Sequence, residues 1–373
     1  MTVDQFRTGT KGAASAERPS TTLIDRLSAG EPYAISFGGQ GGPWLPTLAE
    51  LVVDADLEHR VAKIVEAAER LVEPVADQIT VARSEGFHPL TWVRALDAGE
   101  ATPSEVALAD FTLSGPGVLL TQIAAIEALK KQGLDTAAIA PRSVVGHSQG
   151  SIAVDAVAMN GRGAESGEGL LLAVAQLIGA AGSLIARRRG LGVATEGTPM
   201  LAITNISPAR IEEILVEYRA GLAAPEQSTA PVVSIRNSRS AVVLSGAPRH
   251  LAAFTALCER IAAQEADERK RKVTGGEPFA PKFDHLQVSV AFHHPGMADA
   301  VELVGDWAVE CGIDRDLATR HAASILVEPV DWVSTVDGVV ADGAAWILDF
   351  GPSDLATRLT SALVRGQGVG LVP

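Results

Sequence analysis

The segment from Ser143 to Gly150 constrains the fold of this 373-residue chain more than any other. A short apolar run, Ser143-Val144-Val145, leads directly into Gly146-His147-Ser148-Gln149-Gly150, and a stretch rich in Ala and Val follows. Glycines on either side of a serine allow a strand to turn abruptly into a helix, which holds the hydroxyl near the N–H groups of the helix N-terminus. The segment therefore predicts an α/β protein with Ser148 as a candidate nucleophile, and the alternative is that Ser148 only caps the helix.

Composition and charge exclude several classes of protein. With a net charge of −14, the chain lacks the clustered basic residues that give affinity for nucleic acid. Its two cysteines, Cys258 and Cys311, are too few for a disulfide framework or a zinc site, and no other metal-ligand spacing is present. The sequence contains no run of about 18 consecutive apolar residues, so no membrane span is predicted. We therefore expect a cytoplasmic protein without nucleic-acid or membrane partners, in which residues 1–22 form a disordered lead-in.

Alternating strand and helix patterns on both sides of the serine turn predict the larger part of the fold. A strand at 33–37 is stopped by a glycine-rich loop at 38–42, and an apolar strand at 345–349 is followed by a Gly351-Pro352 turn. The helices predicted for this part cover residues 45–71, 118–131, 170–189 and 296–310, with a last helix that ends near residue 364. We expect an α/β-hydrolase-like large subdomain with a parallel sheet, built from residues 23–196 and 284–373.

The middle of the chain has a different pattern, which predicts an inserted small subdomain at residues 197–283. Strands and helices follow one another there in the order strand, helix, hairpin, helix, strand, which is typical of a ferredoxin-like βαββαβ unit. The predicted elements are a strand at 200–204, a helix at 208–220, a hairpin of 232–236 with 241–245, a helix at 250–264 and a strand at 287–292.

The base that activates Ser148 is predicted to be a histidine at the end of the last of these strands. His293 and His294 are adjacent there, and because strand side chains alternate between faces, only one of them can point at the serine. His293 shares its face with Ser289 and Ala291, and small residues leave room for a substrate. We therefore favour His293, while a purely structural role for either histidine stays open and His147 is a weaker candidate.

At this point the chain resembles the malonyl/acetyl transferase family of fatty acid and polyketide synthases. The matching segments, in order, are Gly39-Gln40-Gly41, the serine turn at 146–150, Asn237 before Val242-Val243-Leu244-Ser245-Gly246, Ala291-Phe292-His293 and Phe350-Gly351-Pro352. The chain is similar in particular to the N-terminal acetyltransferase portion of a mycobacterial-type bacterial type I fatty acid synthase. That likeness rests on residues 30–33, 37–41, 116–122, 175–181, 187–190 and 346–349.

The resemblance implies a role for each site residue. Ser148 carries the acyl group, His293 is its general base, and backbone N–H groups of Gln40 and Gln149 form the oxyanion hole. A main-chain carbonyl orients the histidine, so no acidic partner is implied. The acyl group passes from acetyl-CoA to the phosphopantetheine thiol of an acyl carrier protein. No tightly bound cofactor is implied, and the expected partners are acyl-CoA, the carrier protein and other domains of a fatty acid synthase.

The acyl group is the least constrained part of this prediction. Family members that accept malonyl-CoA place an Arg on the helix after the nucleophile, where its fork holds the free carboxylate. Residues Leu170 to Ala186 contain no Arg, and Leu184 is predicted to stand in its place, which favours acetyl. Arg189-Gly190 resembles the family's Arg-Gly pair, so malonyl stays open. Asn237 is a further predicted substrate-side residue.

Other interpretations of the sequence remain. A lipase or esterase of the α/β-hydrolase type shares the serine turn, and it would need an acid such as Asp284 next to the histidine. A non-catalytic assembly segment of a synthase is the second alternative. The basic run from Arg269 to Lys272 could attract CoA phosphates or an acidic carrier protein, although such runs are more often solvated surface.

Overall fold

The computed structural model describes residues 22–83, 85–159, 164–271 and 279–373. The predicted lead-in at 1–22 thus lies outside the described residues except for Thr22, whose side chain caps the first helix. The described part contains nine strands in two sheets. They are β1 (Tyr33–Phe37), β2 (Ser143–Gly146), β3 (Met200–Thr204), β4 (Val232–Ser238), β5 (Ala241–Ser245), β6 (Lys282–His285), β7 (Val330–Asp331), β8 (Trp346–Asp349) and β9 (Gly370–Val372).

Fifteen α-helices surround and connect these strands in the described residues. They are α1 (Leu23–Ser28), α2 (Trp44–Leu51), α3 (Ala55–Val72), α4 (Ala76–Ala82), α5 (Pro89–Ala98), α6 (Glu105–Ala109), α7 (Phe111–Lys131), α8 (Ser151–Met159), α9 (Ala164–Arg189), α10 (Pro208–Ala220), α11 (Pro248–Arg271), α12 (Ala298–Glu310), α13 (Arg315–Leu326), α14 (Trp332–Ala341) and α15 (Leu355–Val364).

The large subdomain is built on a parallel four-stranded sheet with the order β2-β1-β8-β9. All five residues of β1 are buried, as expected for a central parallel strand covered by helices on both faces. The carboxyl ends of β1, β2 and β8 meet at one edge, since Phe37 pairs with Gly146 and Ser36 with Asp349. The predicted α/β-hydrolase-like parallel sheet is confirmed, and its edge carries the serine turn.

The core of the large subdomain is formed mainly by two long apolar helices. Phe111–Lys131 and Ser166–Arg189 are long and apolar enough to cross a membrane, but 83% and 89% of their apolar windows are buried inside the protein. Glycines on the second helix permit close packing, because a Cβ on Gly169 would lie 2.6 Å from that of Ala67 on α3. The apolar surface of both helices is therefore used for packing within the protein.

The small subdomain has the predicted ferredoxin-like organisation. Its sheet has the order β6-β3-β5-β4-β7, and the first four strands in this order are antiparallel to their neighbours. The short strand β7, from the large subdomain, pairs with β4 in parallel and joins the two subdomains. Helices α10 and α11 pack on one face of the sheet around a separate apolar core that includes Leu201, Ile211 and Phe254.

The last strand of the small sheet was predicted at the wrong position. The structure places it at Lys282–His285, where it pairs with β3, and residues 287–292 form no continuous strand. Val290 makes only an isolated bridge with Gly192, and the backbone N–H of Ala291 donates to Leu191. Val290, Ala291 and Phe292 are all buried in the core of the large subdomain, and sequence periodicity alone does not distinguish such a buried apolar segment from a strand.

Several helix and turn boundaries also differ from the prediction. The predicted helix 45–71 is two helices, because the Asp54 side chain accepts hydrogen bonds from two N–H groups and starts α3. Helix α9 begins at Ala164 rather than at Leu170, since its glycines serve packing instead of breaking the helix. Helix α7 begins at Phe111 and contains Pro116, and Asn237 lies in β4 rather than in the hairpin turn.

A buried carboxyl at the end of β8 leads to a testable prediction about stability. Burial raises the pKa of Asp349 from 3.8 to about 6, although the Thr357 hydroxyl donates to its Oδ2 at 2.7 Å. Because the raised pKa favours the protonated form in the folded state, stability is lost as pH rises from 3.8 through 6. Asp349→Asn keeps an acceptor for Thr357, and we expect it to stabilise the protein by about 1–2 kcal/mol at pH 7.5.

Urea unfolding of both proteins at pH 7.5 and pH 4.5 measures this effect. The gain should be present at pH 7.5 and largely disappear at pH 4.5, where Asp349 is protonated in the folded state. A variant less stable than the parent at pH 7.5 would contradict the prediction.

Candidate active site

The serine turn is built as its glycine spacing requires. β2 ends at Gly146, and Ser148–Gly150 form a short 3₁₀ turn that leads into α8. A Cβ on Gly146 would lie 2.4 Å from the backbone of Gly150, and a Cβ on Gly150 would lie 2.4 Å from the carbonyl oxygen of Phe37. Ser148 itself has a φ of 55°, a left-handed conformation that is rare for non-glycine residues and typical of strained functional turns. The backbone thus holds the hydroxyl at the carboxyl edge of the sheet.

The structure brings Ser148 and His293 into hydrogen-bond contact. The Ser148 Oγ lies 2.7 Å from the Nε2 of His293, and the His293 Nδ1 lies 2.7 Å from the carbonyl oxygen of Glu328. Nδ1–H therefore donates to Glu328, which leaves Nε2 as the acceptor for the serine proton. Ser148 is half-buried and His293 is buried, so this pair can reach a substrate while one partner is shielded from water.

Burial controls the protonation of the candidate base. It lowers the pKa of His293 from 6.5 to about 4, against the opposing effect of the hydrogen bond to Glu328. The imidazole is consequently neutral at neutral pH, and neutral imidazole is the form that can accept a proton from Ser148.

The loop after β1 lies against the serine turn. A Cβ on Gly39 would lie 2.9 Å from the carbonyl oxygen of His147 and 3.3 Å from the Ser148 Cβ, so only glycine fits there. A hydrogen bond holds this loop against α7, because the Gln40 Nε2 donates to the Ser114 Oγ at 2.5 Å. None of the turn and loop hydrogen bonds in the described residues uses the backbone N–H of Gln40 or Gln149.

Gln149 and Asn237 make contacts that the sequence did not specify. The Gln149 side chain donates to the carbonyl oxygen of Gly115 at 3.0 Å, which ties the serine turn to α7. The Asn237 Oδ1 lies 2.9 Å from the Nε2 of His147, and the His147 ring packs edge-on against Trp332. Asn237 therefore joins the small sheet to the serine turn through His147.

The second histidine of the pair has a structural environment. The His294 Nε2 lies 2.9 Å from the carbonyl oxygen of Ala230, and its Nδ1 accepts a hydrogen bond from the Gly296 N–H. His293 stands beside Ser148 for a reason other than strand alternation, because it has a φ of 55° and follows no strand. The choice between the two histidines agrees with the structure, but the parity argument that led to it was wrong.

Leu184 is half-buried on α9 and packs against the main apolar core of the large subdomain. Its predicted place beside the acyl group stays a prediction.

The arginines at the end of α9 make other contacts. Arg189 forms an ion pair with Asp299 at the surface, and Arg187 donates to the carbonyl oxygen of Ala82. Asp284 lies in β6 and pairs with Ala202 on the small sheet, whereas the His293 Nδ1 is bonded to a carbonyl. The described residues contain no group of three or more potential metal ligands. Lys272 of the predicted basic run lies outside the described residues.

The residues that hold His293 could not be found from the sequence. The backbone N–H of His293 donates to the carbonyl of Ile325, the N–H of His294 donates to that of Leu326, and Glu328 orients the ring. All three acceptors are main-chain atoms at the end of α13, a helix for which we made no prediction. A main-chain contact depends on the path of the backbone and has no side-chain signal.

Comparisons with known proteins identify the fold. The structure is similar to an acyl carrier protein S-malonyltransferase from Vibrio cholerae, with 18% identity, a TM-score of 0.62 and coverage of 92% of this chain and 97% of the other. It is also similar to the malonyl-CoA:acyl carrier protein transacylase of Xanthomonas oryzae, with 20% identity, a TM-score of 0.59 and coverage of 91% and 93%. The protein has the acyltransferase fold. The predicted fold class is thereby confirmed.

Three further comparisons concern the small subdomain, a carrier-protein complex and curated proteins. Residues 199–285 match the family model of the fatty acid synthase central AT domain. This match over the small subdomain supports an acyltransferase domain of the fatty acid synthase type, as the sequence motifs predicted. A third similar structure is a malonyl-transacylase in complex with a type II polyketide synthase acyl carrier protein, with 18% identity, a TM-score of 0.61 and coverage of 91% and 95%. A comparison with curated proteins gave no significant match.

Proposed function

We propose that this protein transfers an acetyl group from acetyl-CoA, through an acyl-enzyme at Ser148, to the phosphopantetheine thiol of an acyl carrier protein in fatty acid synthesis. The observation that carries the proposal is the Ser148–His293 contact of 2.7 Å, with the histidine oriented by a main-chain carbonyl. The family match of residues 199–285 and the acyl carrier protein transferases among the similar structures support the same class of reaction.

The first half-reaction forms the acyl-enzyme. The Ser148 Oγ attacks the thioester carbonyl carbon while its proton passes to the Nε2 of His293, and the Glu328 carbonyl stabilises the imidazolium through Nδ1–H. We expect the backbone N–H groups of Gln40 and Gln149 to bind the oxyanion of the tetrahedral intermediate, since the turn and loop hydrogen bonds of the described residues do not use them. When the carbon–sulfur bond breaks, the imidazolium returns the proton and CoA leaves as a thiol.

The second half-reaction uses the same groups in the opposite direction. The phosphopantetheine thiol gives its proton to His293 and attacks the acyl ester of Ser148, and the serine regains a proton as it leaves. Water would compete with the thiol at this stage. His293 and its neighbours Ala291 and Phe292 are buried, so this side of the base is shielded from bulk water, which favours transfer over hydrolysis.

The choice of acetyl over malonyl depends on the absence of a cation for the malonyl carboxylate. A buried carboxylate is costly without a partner, and a bidentate Arg is the usual one. The Arg-free stretch of α9 and the commitment of Arg189 to Asp299 at the surface both argue against such a partner near Ser148. A malonyl transferase is the second candidate, because the similar solved structures are named for that activity.

The proposed partners and setting follow from the proposed reaction. One of the similar structures holds a transacylase together with an acyl carrier protein, which supports a carrier protein as the acceptor. The proposed reaction also needs acyl-CoA and, in a type I system, the neighbouring domains of the synthase. It needs no tightly bound cofactor, and we place it in the cytoplasm.

Acyl loading measured by intact mass tests the proposed substrate. After brief exposure to equal concentrations of acetyl-CoA and malonyl-CoA in separate reactions, we expect a mass increase of one acetyl group. Malonyl loading should be at least about tenfold slower, as expected from about 1.4 kcal/mol or more for an unpaired carboxylate. Addition of a phosphopantetheinylated carrier protein should discharge the acetyl group onto its thiol. Faster malonyl loading would replace acetyl by malonyl in the proposal.

The same experiment separates the transferase from a serine hydrolase. A hydrolase would release acetate without a carrier protein and would cleave simple esters rapidly. The carbonyl on the His293 Nδ1 argues against the Ser-His-Asp arrangement of lipases, for which Asp284 was the candidate acid. Rapid ester hydrolysis with no transfer to the carrier protein would refute the proposed function.

A further inference from the structure

A second contact joins the helix of the nucleophile to the helix that holds the base. The Asp155 Oδ2 on α8 lies 3.1 Å from the Nε2 of His321 on α13 and 3.0 Å from the Nη2 of Arg320. His321 is only 4% exposed, whereas the Arg320 side chain is 64% exposed. The contact of Asp155 with His321 is therefore shielded from solvent, whereas its contact with Arg320 is exposed and weak.

Helix α8 begins just after Ser148, and helix α13 ends next to the backbone of His293. α8 starts at Ser151, three residues after Ser148, and its first turn faces α13, with the hydroxyls of Ser151 and Ser324 3.4 Å apart. α13 ends at Leu326, and its last residues supply the carbonyls that receive the N–H groups of His293 and His294. A displacement of α13 along α8 would therefore move the base relative to the serine.

We infer that Asp155 and His321 are positioning residues, which fix α13 against α8 and so set the distance between the Ser148 Oγ and the His293 Nε2. The inference rests on the proposed function for its catalytic meaning. The hydrogen bond between Asp155 and His321 lies one turn of α8 beyond Ser151, so it acts as a brace for the weaker Ser151–Ser324 contact. Reaction rates respond steeply to such geometry, because a misplacement of about 1 Å can cost about 10²-fold.

The chemistry of the pair allows a sharp set of variants. Asp155→Ala removes the acceptor and leaves the buried His321 N–H unpaired. Asp155→Asn keeps an oxygen that can accept from the His321 Nε2–H, so it should restore the brace without the negative charge. Arg320→Gln removes only the exposed member of the cluster and is the matched control, because it leaves Asp155 and His321 in place.

The experiment measures the acylation step and the reactivity of the serine in each variant. For Asp155→Ala we expect the rate constant of acylation at saturating acetyl-CoA to fall about 10- to 100-fold with an unchanged KM. Asp155→Asn should stay within about threefold of the parent, and Arg320→Gln should equal it. The rate of Ser148 labelling by a small fluorophosphonate should fall in parallel with acylation.

A loss of stability alone would give a different pattern. Leu27→Ala in α1, at the opposite end of the sheet, removes a buried side chain that is 1% exposed and serves as a destabilised reference. If Leu27→Ala lowers the acylation rate constant as much as Asp155→Ala at an equal loss of melting temperature, the inference is overturned. It is also overturned if Asp155→Ala changes neither the acylation rate constant nor the labelling rate.

The labelling measurement separates this inference from the proposed function. Fluorophosphonate labelling needs only a serine activated by a histidine, so it reports the dyad whatever acyl group the enzyme uses. If the parent protein fails to load acetyl but Asp155→Ala shows the expected fall in labelling rate, acetyl transfer is refuted and the positioning role is supported. If the parent loads acetyl but Asp155→Ala is labelled at the parent rate, acetyl transfer is supported and the positioning role is refuted.

Discussion

Ser148→Ala is expected to abolish acyl-enzyme formation completely. The substitution removes the only atom that can form the ester, while the backbone of the turn is defined by Gly146 and Gly150 and should persist. Alanine tolerates the left-handed φ of 55° no worse than serine does, so the loss is chemical rather than structural. Intact mass after exposure to acetyl-CoA measures the result, with no adduct expected above background.

Ser143→Ala is the matched control for this result. Ser143 begins the same strand, and its hydroxyl donates to Asp342 at the surface, away from the dyad. We expect Ser143→Ala to form the acyl-enzyme as the parent does. If Ser148→Ala still forms an acyl-enzyme and has a normal melting temperature, another residue carries the acyl group and the assignment of Ser148 is refuted.

His293→Asn is expected to lower the rate constant of acylation by about 10³-fold, within the range of about 10²–10⁴ for the loss of a general base. Asparagine cannot accept the serine proton at the position of Nε2, so the hydroxyl must react without activation. Single-turnover loading from acetyl-CoA measures this rate. His294→Asn is the matched control, since the His294 imidazole hydrogen-bonds to the Ala230 carbonyl and the Gly296 N–H and not to Ser148. We expect the folded protein to form the acyl-enzyme within about tenfold of the parent rate.

The same base determines the pH dependence of acylation in the parent protein. Burial lowers the pKa of His293 to about 4, so the neutral, proton-accepting form is present above this pH and is lost below it. The acylation rate constant should be nearly flat between pH 8 and pH 5 and fall as pH drops through about 4. A midpoint near 6.5, the ordinary value for histidine, would show that the dyad is more hydrated than its burial indicates.

Much of the fold was predictable because its signals are local. The strands at 33–37, 200–204 and 241–245 and the helix at 208–220 have the boundaries that the periodicity gives. The ferredoxin-like order of the small sheet also follows from the order of its elements along the chain. Errors arose where a local signal was ambiguous, as at residues 287–292, whose apolar pattern reflects burial in a core rather than pairing in a sheet.

In the candidate site, too, features that depend on neighbouring residues were predictable, and contacts between distant residues were not. Ser148 was predictable because two glycines at fixed spacing are a local steric requirement, which the 2.4 Å approaches around Gly146 and Gly150 now explain. The predicted role of Leu184 stays a prediction, because one step of error in alignment along a helix rotates the side chain by about 100°. His147 and Asn237 were both noticed in the sequence, but their hydrogen bond joins residues 90 positions apart.

The serine turn with its candidate nucleophile, the α/β class and the small subdomain were all predictable from the amino-acid sequence, since each depends on steric or periodic patterns within a few neighbouring residues. Only the tertiary structure decided how the base is held. His293 is oriented by the carbonyl of Glu328 and held by that of Ile325, and α13 is braced against α8 through Asp155 and His321. Main-chain acceptors are the same for every residue type, so no sequence pattern identifies which carbonyl will meet the imidazole.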